Sequence, residues 1–247
     1  MRLHVTGATG FLGSELTRLA PHATGERVDI RESASLAELV AQLRPDVVIH
    51  TAYVQDGPDA WETTVDGAEN VARAARAVGA RLVHLSTDVV FDGRKGAPYV
   101  ETDVPCPVTD YGRAKAAAEE RVLAAQPAAL VVRTSLIVGG PGHEPSKHER
   151  AALDPAYTFY DNEIRNPVQV GDLARALLEL ATVDVSGILH VVGADALSRA
   201  ELAELVTGRP VRRARAPDSR PLDCRLDSTR ARALLRTDPR GVRTVFA

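Results

Sequence analysis

The sequence predicts an α/β fold, a doubly wound parallel sheet with a small C-terminal substrate lobe. Short apolar strands alternate with amphipathic helices from the start, a glycine-rich turn joins the first strand to the first helix, and the alternation loosens after Gly139-Gly140. Apolar strands separated by helices are the mark of a parallel sheet covered on both faces. The chain has 247 residues, 45% hydrophobic and 26% charged, enough for one large domain with an appended lobe and too apolar for disorder. We therefore expect a dinucleotide-binding domain over 1–140 and a substrate-binding lobe over 141–247, with interleaving of chain segments allowed.

The elements follow in order. Leu3 to Thr6 reads as a strand, Phe11 to about Ala20 as a helix, Val28 to Ile30 as a second strand and Ser35 to Leu43 as a helix. The run Val47-Val48-Ile49 follows Pro45, and an amphipathic helix covers roughly Gly67 to Val78. Leu82 to Leu85 is a strand, Tyr111 to about Ala125 a helix and Ala129 to Arg133 a strand. Beyond Pro141, Pro145 and Pro155 come a helix at Asp172 to Ala181, a strand at Ile188 to Val192 and a helix at Ser198 to Val206.

Composition removes several classes of function. A net charge of -3 supplies no overall field for nucleic acid or an anionic membrane surface. No stretch approaches the roughly 20 apolar residues of a membrane span, and the N-terminus runs straight into a strand without an apolar leader segment. Cys106 and Cys224 are too far apart in sequence for a close metal or redox pair, and a reducing cytoplasm suits them. The basic residues comprise 27 Arg and only three Lys, so each of Lys95, Lys115 and Lys147 carries more information than usual. From Arg209 to Arg243 there are 11 Arg against four Asp, read as a solvated surface with an anion site as the alternative. His143-Glu144 and His148-Glu149, interrupted by Pro145, lack the spacing of a helical metal site and read as a mobile polar loop; no metal is expected. His84 and His190 lie within strands and read as core histidines.

The chemistry begins at Thr6-Gly7-Ala8-Thr9-Gly10-Phe11-Leu12-Gly13, which follows the first strand and opens the first helix. In that position the first glycine allows a tight turn, the second lets backbone approach a pyrophosphate, and the third lets helix pack on strand. Asp29 lies 22 positions after Gly7, near the offset at which a carboxylate meets an adenosine ribose, which favours NAD. Arg31, two residues on, would suit a 2′-phosphate, so NADP and NAD both stay open.

Tyr111 and Lys115 are spaced i, i+4 on one helix face. A nearby cation favours phenolate, so Lys115 is expected to lower the Tyr111 pKa towards what a general acid/base near neutrality needs. The strand Leu82 to Leu85 ends in Ser86-Thr87-Asp88, and strand ends of open α/β sheets face the ligand crevice. A hydroxyl there can bond a substrate oxygen while Tyr transfers a proton and a nicotinamide transfers hydride.

With these motifs in place the chain resembles the extended short-chain dehydrogenase/reductases, which carry a Rossmann fold. TGATGFLG, STDVVFDG (Ser86 to Gly93), YGRAK, RTSLIVGG (Arg133 to Gly140) and RPLDCRLD (Arg220 to Asp227) occur in family order, spaced most like the dTDP-4-dehydrorhamnose reductases. The resemblance implies a catalytic triad of Thr87, Tyr111 and Lys115, with Lys115 also touching the cofactor. It implies cofactor contacts at Gly7, Thr9, Gly10, Phe11, Leu12, Asp29, Ile30, Thr51, Ala52 and Tyr53, and substrate contacts at Ser86 and Arg165. The implied reaction is NAD(P)H-dependent reduction of the 4-keto group of a nucleotide-linked deoxysugar, in the cytoplasm, with a homodimer as candidate assembly and no nucleic-acid or membrane partner. Three features depart from the family pattern. Leu136 stands where those reductases carry a sugar-packing tryptophan, Thr64 where many members have asparagine, and the second βα unit is short. Asp88 is followed by Val89 rather than the glutamate of the 4,6-dehydratases, which favours a reductase. An epimerase and a non-catalytic NAD(P)-binding regulatory subunit are the alternatives, and Asp172 reads as a helix cap.

Overall fold

The computed structural model describes residues 1–247. Its strands are β1 (Leu3–Thr6), β2 (Val47–His50), β3 (Arg81–Thr87), β4 (Leu130–Thr134), β5 (Ile137–Val138), β6 (Thr158–Tyr160), β7 (Ile164–Arg165), β8 (Val168–Gln169), β9 (Gly187–His190), β10 (Leu197–Ser198) and β11 (Arg212–Ala214). The helices are α1 (Phe11–Leu19), α2 (Ser33–Leu43), α3 (Gly67–Ala77), α4 (Asp110–Ala125), α5 (Lys147–Leu153), α6 (Val170–Leu180), α7 (Arg199–Thr207), α8 (Thr229–Leu234) and α9 (Val242–Val245). A five-stranded sheet in the order β1-β2-β3-β4-β9 forms the centre, and every pairing in it is parallel.

The apolar alternation along each strand divides the core. Leu3, Val5, Ile49, Val83 and Val132 face α1 and α6, where Leu16, Leu173 and Leu177 are fully buried. Val48, Leu82 and Val131 face the other layer, where Leu36 and Val40 of α2 meet Ala72 and Ala75 of α3 and Val122 of α4. No helix is long and apolar enough to cross a membrane.

The expected strand at Val28 to Ile30 does not form. Only Thr24 bridges β1, through Val5 N–H to Thr24 O and Thr24 N–H to Leu3 O, both 2.9 Å. The chain then leaves the sheet because Ile30 packs on α3 at Gly67, where a Cβ would lie 2.7 Å from the Ile30 side chain. Asn70 Nδ2 donates to the Ile30 carbonyl at 3.0 Å and holds it there. Burying Ile30 on a helix replaces extending the ladder, so β1 is an edge strand.

One expectation about the second half also changes, and the interleaving of chain segments that the sequence allowed takes a definite form. Residues 147–153 are a helix rather than a mobile loop, because Ser146 and Glu149 make a reciprocal capping box. Glu149 also accepts from Gly139 and Gly140 N–H at 2.7 and 2.9 Å. A boundary at 140 does not divide the core, since β9 completes the central sheet and α6 packs on α1. What stands apart is the lobe built from α5, α7 and the small pairings β10 with β7 and β11 with β6.

Candidate active site

The turn after β1 has the geometry that its glycines foretell. Gly7 sits at φ +74, and a Cβ there would meet Ala52 N at 2.8 Å and Thr51 Oγ1 at 2.9 Å. A Cβ on Gly13 would fall 2.0 Å from Gly7 O, so only glycine lets α1 start this close to the turn. Gly10 caps α1 without any side-chain cap, leaving the helix N-terminus to the cleft. A cradle that any side chain would fill fits a pyrophosphate bound by backbone.

This turn opens on a cleft of about 760 Å³ between the strand ends and the lobe. Gly10, Phe11, Leu12, Thr51 and Tyr53 line one side, Ser86, Thr87 and Tyr111 the middle, and Arg165 the far side. Gly7 and Ala52 lie behind the turn, in contact with each other. Thr9 is exposed outside this lining. Asp29 and Ile30 are also outside it: Ile30 is buried against α3, and both Asp29 oxygens are taken by Arg31, with Nη2 at 2.6 Å. Arg31 in turn lies 3.3 Å from Asp59 and 3.7 Å from Glu62.

Tyr111 is positioned by the start of α4. Thr109 caps the helix by accepting from Gly112 N–H at 3.1 Å. Gly112 lets that first turn approach the β3 end, since a Cβ there would lie 2.3 Å from Val89 O. The Tyr111 ring stands 5.7 Å from that of Tyr53. One turn on, Lys115 is buried and donates from Nζ to Leu85 O at 2.5 Å.

The expected cation effect on the phenol is corrected by this arrangement. Burial, then Tyr53 and then the Asp88 charge raise the Tyr111 pKa, and only the Thr87 hydroxyl opposes them. The Lys115 ammonium points at a backbone carbonyl and is itself lowered to about 8 by burial, against the pull of Glu119. The resting chain thus keeps Tyr111 protonated.

The hydroxyls have assigned partners. Ser86 Oγ donates to Glu119 Oε1 rather than standing free for a substrate. Glu119 is also gripped by Arg133, with Nη2 to Oε2 at 2.7 Å, in a pair buried beneath the Tyr-Lys face. Thr87 Oγ1 donates to Asp88 Oδ1 at 3.2 Å, and Ser135 Oγ donates to Asp88 Oδ2 at 2.5 Å. Arg165, the expected phosphate ligand, is 3% exposed and spends its guanidinium on the carbonyls of Ile164, Leu222 and Pro221. Its Nε lies 3.6 Å from Asp88 Oδ2. Arg165 therefore serves Asp88 and the Pro221-Leu222 segment after β11, and a phosphate would have to displace protein contacts to reach it.

Sequence reasoning missed the cationic wall opposite the glycine turn. Lys147, His148, Arg150, Arg199 and Arg220 all line the cleft. Burial and the positive charges of Arg199 and Lys147 hold the His148 pKa down to about 2, so His148 is neutral and its Nδ1 lies 3.1 Å from Arg199 Nη1. Lys147 was marked only by the rarity of lysine, and Arg220 by its place in the RPLDCRLD motif and in the Arg-rich tail, for which an anion site was the alternative.

A glycine-cradled α/β crevice lined by Thr87 and Tyr111, with Lys115 buried one helical turn on, is the arrangement of an extended short-chain dehydrogenase/reductase. Within that class the chain belongs to the RmlD substrate binding domain family, whose profile matches residues 1–244. It is 39% identical over 220 residues to a dTDP-4-dehydrorhamnose reductase of Mycobacterium tuberculosis, covering 80% of this chain and 72% of that one. It is 30% identical over 273 residues to methionine adenosyltransferase 2 subunit beta of Pongo abelii, covering 90% and 80%. In fold it matches the dTDP-4-dehydrorhamnose reductase of Bacillus anthracis, solved in complex with NADP, at TM-score 0.86 and 24% identity over 99% of this chain and 95% of that one.

Proposed function

We propose that this protein is an NAD(P)H-dependent reductase of the 4-keto group of a nucleotide-linked deoxysugar, with Tyr111 as proton donor. The observation that carries the reading is the meeting of Thr87 and Tyr111 with the glycine cradle in one cleft. The names of the 39% identical relative and the NADP of the Bacillus anthracis structure support the same reading.

A reduced nicotinamide held by this cradle would supply hydride. Gly7, Gly10 and Gly13 admit its pyrophosphate, and Lys115, anchored on Leu85 O, lies behind the phenol to hold the ribose and Tyr111 in place. Tyr111 gives its proton to the oxygen that gains charge as the carbonyl is reduced. Its raised pKa suits a donor, since the proton stays on until the acceptor becomes basic. Lys147 and Arg199 supply the charge that a nucleotide diphosphate requires on the opposite wall, where Arg220 is already paired with the buried Glu163. Leu136 lines the sugar side, offering apolar contact without aromatic stacking.

Loss of reduced-nicotinamide absorbance with NADH and NADPH, against a panel of nucleotide 4-keto-6-deoxysugars, tests the reading. Tyr111→Phe should lower kcat by 10²-fold or more, on the order expected for a lost general acid, while cofactor affinity stays within about twofold. Turnover that survives the substitution removes Tyr111 as donor. A non-catalytic NAD(P)-binding regulatory subunit is the second reading, favoured by the likeness to methionine adenosyltransferase 2 subunit beta. Cofactor binding without oxidation across the panel would select it.

A further inference from the structure

We propose that His148 is a substrate-binding residue of the cationic wall: fixed as the Nε2–H tautomer by Arg199, it donates a hydrogen bond to the substrate diphosphate beside the charges of Lys147 and Arg199. The inference rests on the reductase reading and deepens it by naming what holds the nucleotide end of the substrate. Arg199 Nη1 lies 3.1 Å from His148 Nδ1. A guanidinium has only donors, so Nδ1 must present a lone pair, and the one proton of a neutral imidazole is left on Nε2. An imidazolium, with a proton on each nitrogen, could not accept this bond.

Nε2 is free to use that proton. The bond to Arg199 is the only polar contact of the ring, which lines the cleft. Unlike Nε2 of His4, His50 and His190, which are buried without partners, Nε2 of His148 opens on the cleft. Two capping boxes place the pair: Ser146 with Glu149 fixes the first turn of α5, which carries His148, and Ser198 with Glu201 fixes that of α7, which begins at Arg199.

The charge beside His148 is uncompensated. Lys147 donates to the neutral Gln55 and Arg199 to the neutral imidazole, whereas Arg220 is paired with Glu163 and Arg165 lies against Asp88. The charged groups facing the ring are Lys147 of its own helix, Arg199 of α7 and Arg165 of β7, all cations. The Glu149 carboxylate, next to it in sequence, is spent on the N–H groups of Gly139, Gly140 and Ser146. Two cations without a carboxylate partner and one neutral donor fit the oxygens of a diphosphate. The neutral ring adds a bond to the anion without adding a third like charge.

The test is calorimetric titration of thymidine diphosphate and uridine diphosphate into the full chain with NADP present. His148→Leu should weaken both diphosphates by about tenfold or more, the loss of one hydrogen bond to a charged group, while NADPH binds within about twofold of wild type. His148→Gln, whose amide can donate to the cleft and accept from Arg199, should stay within about threefold. In protein carrying isotope-labelled histidine, long-range proton–nitrogen spectra should show His148 with a bare Nδ1 and a protonated Nε2 at both pH 8 and pH 6, assigned by their loss in His148→Gln. Those spectra keep the test open if His148→Leu fails to fold. A proton on Nδ1, a diphosphate Kd unchanged in His148→Leu, or a loss that extends equally to NADPH overturns the proposal. Wild type that binds neither diphosphate overturns the reading of a nucleotide-linked substrate instead.

Discussion

At Lys115 the cost of taking an ammonium out of water outweighs the attraction of Glu119 four residues on, and the pKa falls from 10.5 to about 8. The sign of the consequence follows from proton counting. Between pH 8 and 10.5 the unfolded chain binds more protons here than the folded one, so this group makes stability rise with pH across that window. Below pH 8 the full penalty is present, about 3 kcal/mol. Lys115→Met should therefore be more stable than wild type at pH 7, with the Tm difference shrinking as pH approaches 10; calorimetry at the two pH values reads it. Turnover should be lost in the same variant, so the penalty belongs to function. The Tyr-Lys spacing was legible because four residues make one helical turn. The protonation states were not, because they depend on Asp88, Tyr53 and Leu85 O, which come from other elements.

Helix α4 meets the sheet through an ion pair rather than through apolar side chains alone. Glu119 and Arg133 have side chains 4% and 3% exposed, and Ser86 of β3 completes the cluster. Removing one partner strands a buried charge, so Arg133→Met should cost 3–5 kcal/mol by chemical denaturation. The double variant Glu119→Leu with Arg133→Met should recover most of that loss, because no charge is left unpaired. At the same scale, Gly13→Ala would drive a Cβ to 2.0 Å from Gly7 O, which side-chain rearrangement alone does not relieve. A cost of about 3 kcal/mol together with loss of cofactor binding is expected, measured by denaturation and fluorescence titration. Element boundaries in the sheet layers were readable from apolar periodicity to within two residues. Two elements were not. The Ser146-x-x-Glu149 box was present in the sequence but flanked by prolines and histidines that suggest a loop, and Val28 to Ile30 has a strand's composition but is drawn onto α3.

Across the whole molecule, the second half of the chain is threaded back through the first. Leu173, Leu177, Leu180 and Leu189 belong to the same apolar layer as Leu3 and Val5. A chain cut at residue 140 should therefore fail to fold, lacking β9 and α6 from its core; circular dichroism of the purified fragment checks this. The opposite edge is thin, with β1 held on its outer side by the two bonds to Thr24. Amides of 24–31 should exchange with deuterium well ahead of those in β3 and β4, which are paired on both sides. If protection were equal across these segments, the description of β1 as a nearly bare edge would be wrong.

Local order and the means of holding a dinucleotide were determined by the sequence itself. The glycine turn, the α4 cap and face, and the strand rhythm each depend on residues within a turn or two of one another. The tertiary structure alone decided the partners of Ser86, Asp88, Glu119 and Arg165, and the gathering of Lys147, Arg199 and Arg220 on one wall. Those groups are separated by tens of residues, and whether each is a ligand, a base or a spent ion pair is settled by which distant donors reach it first.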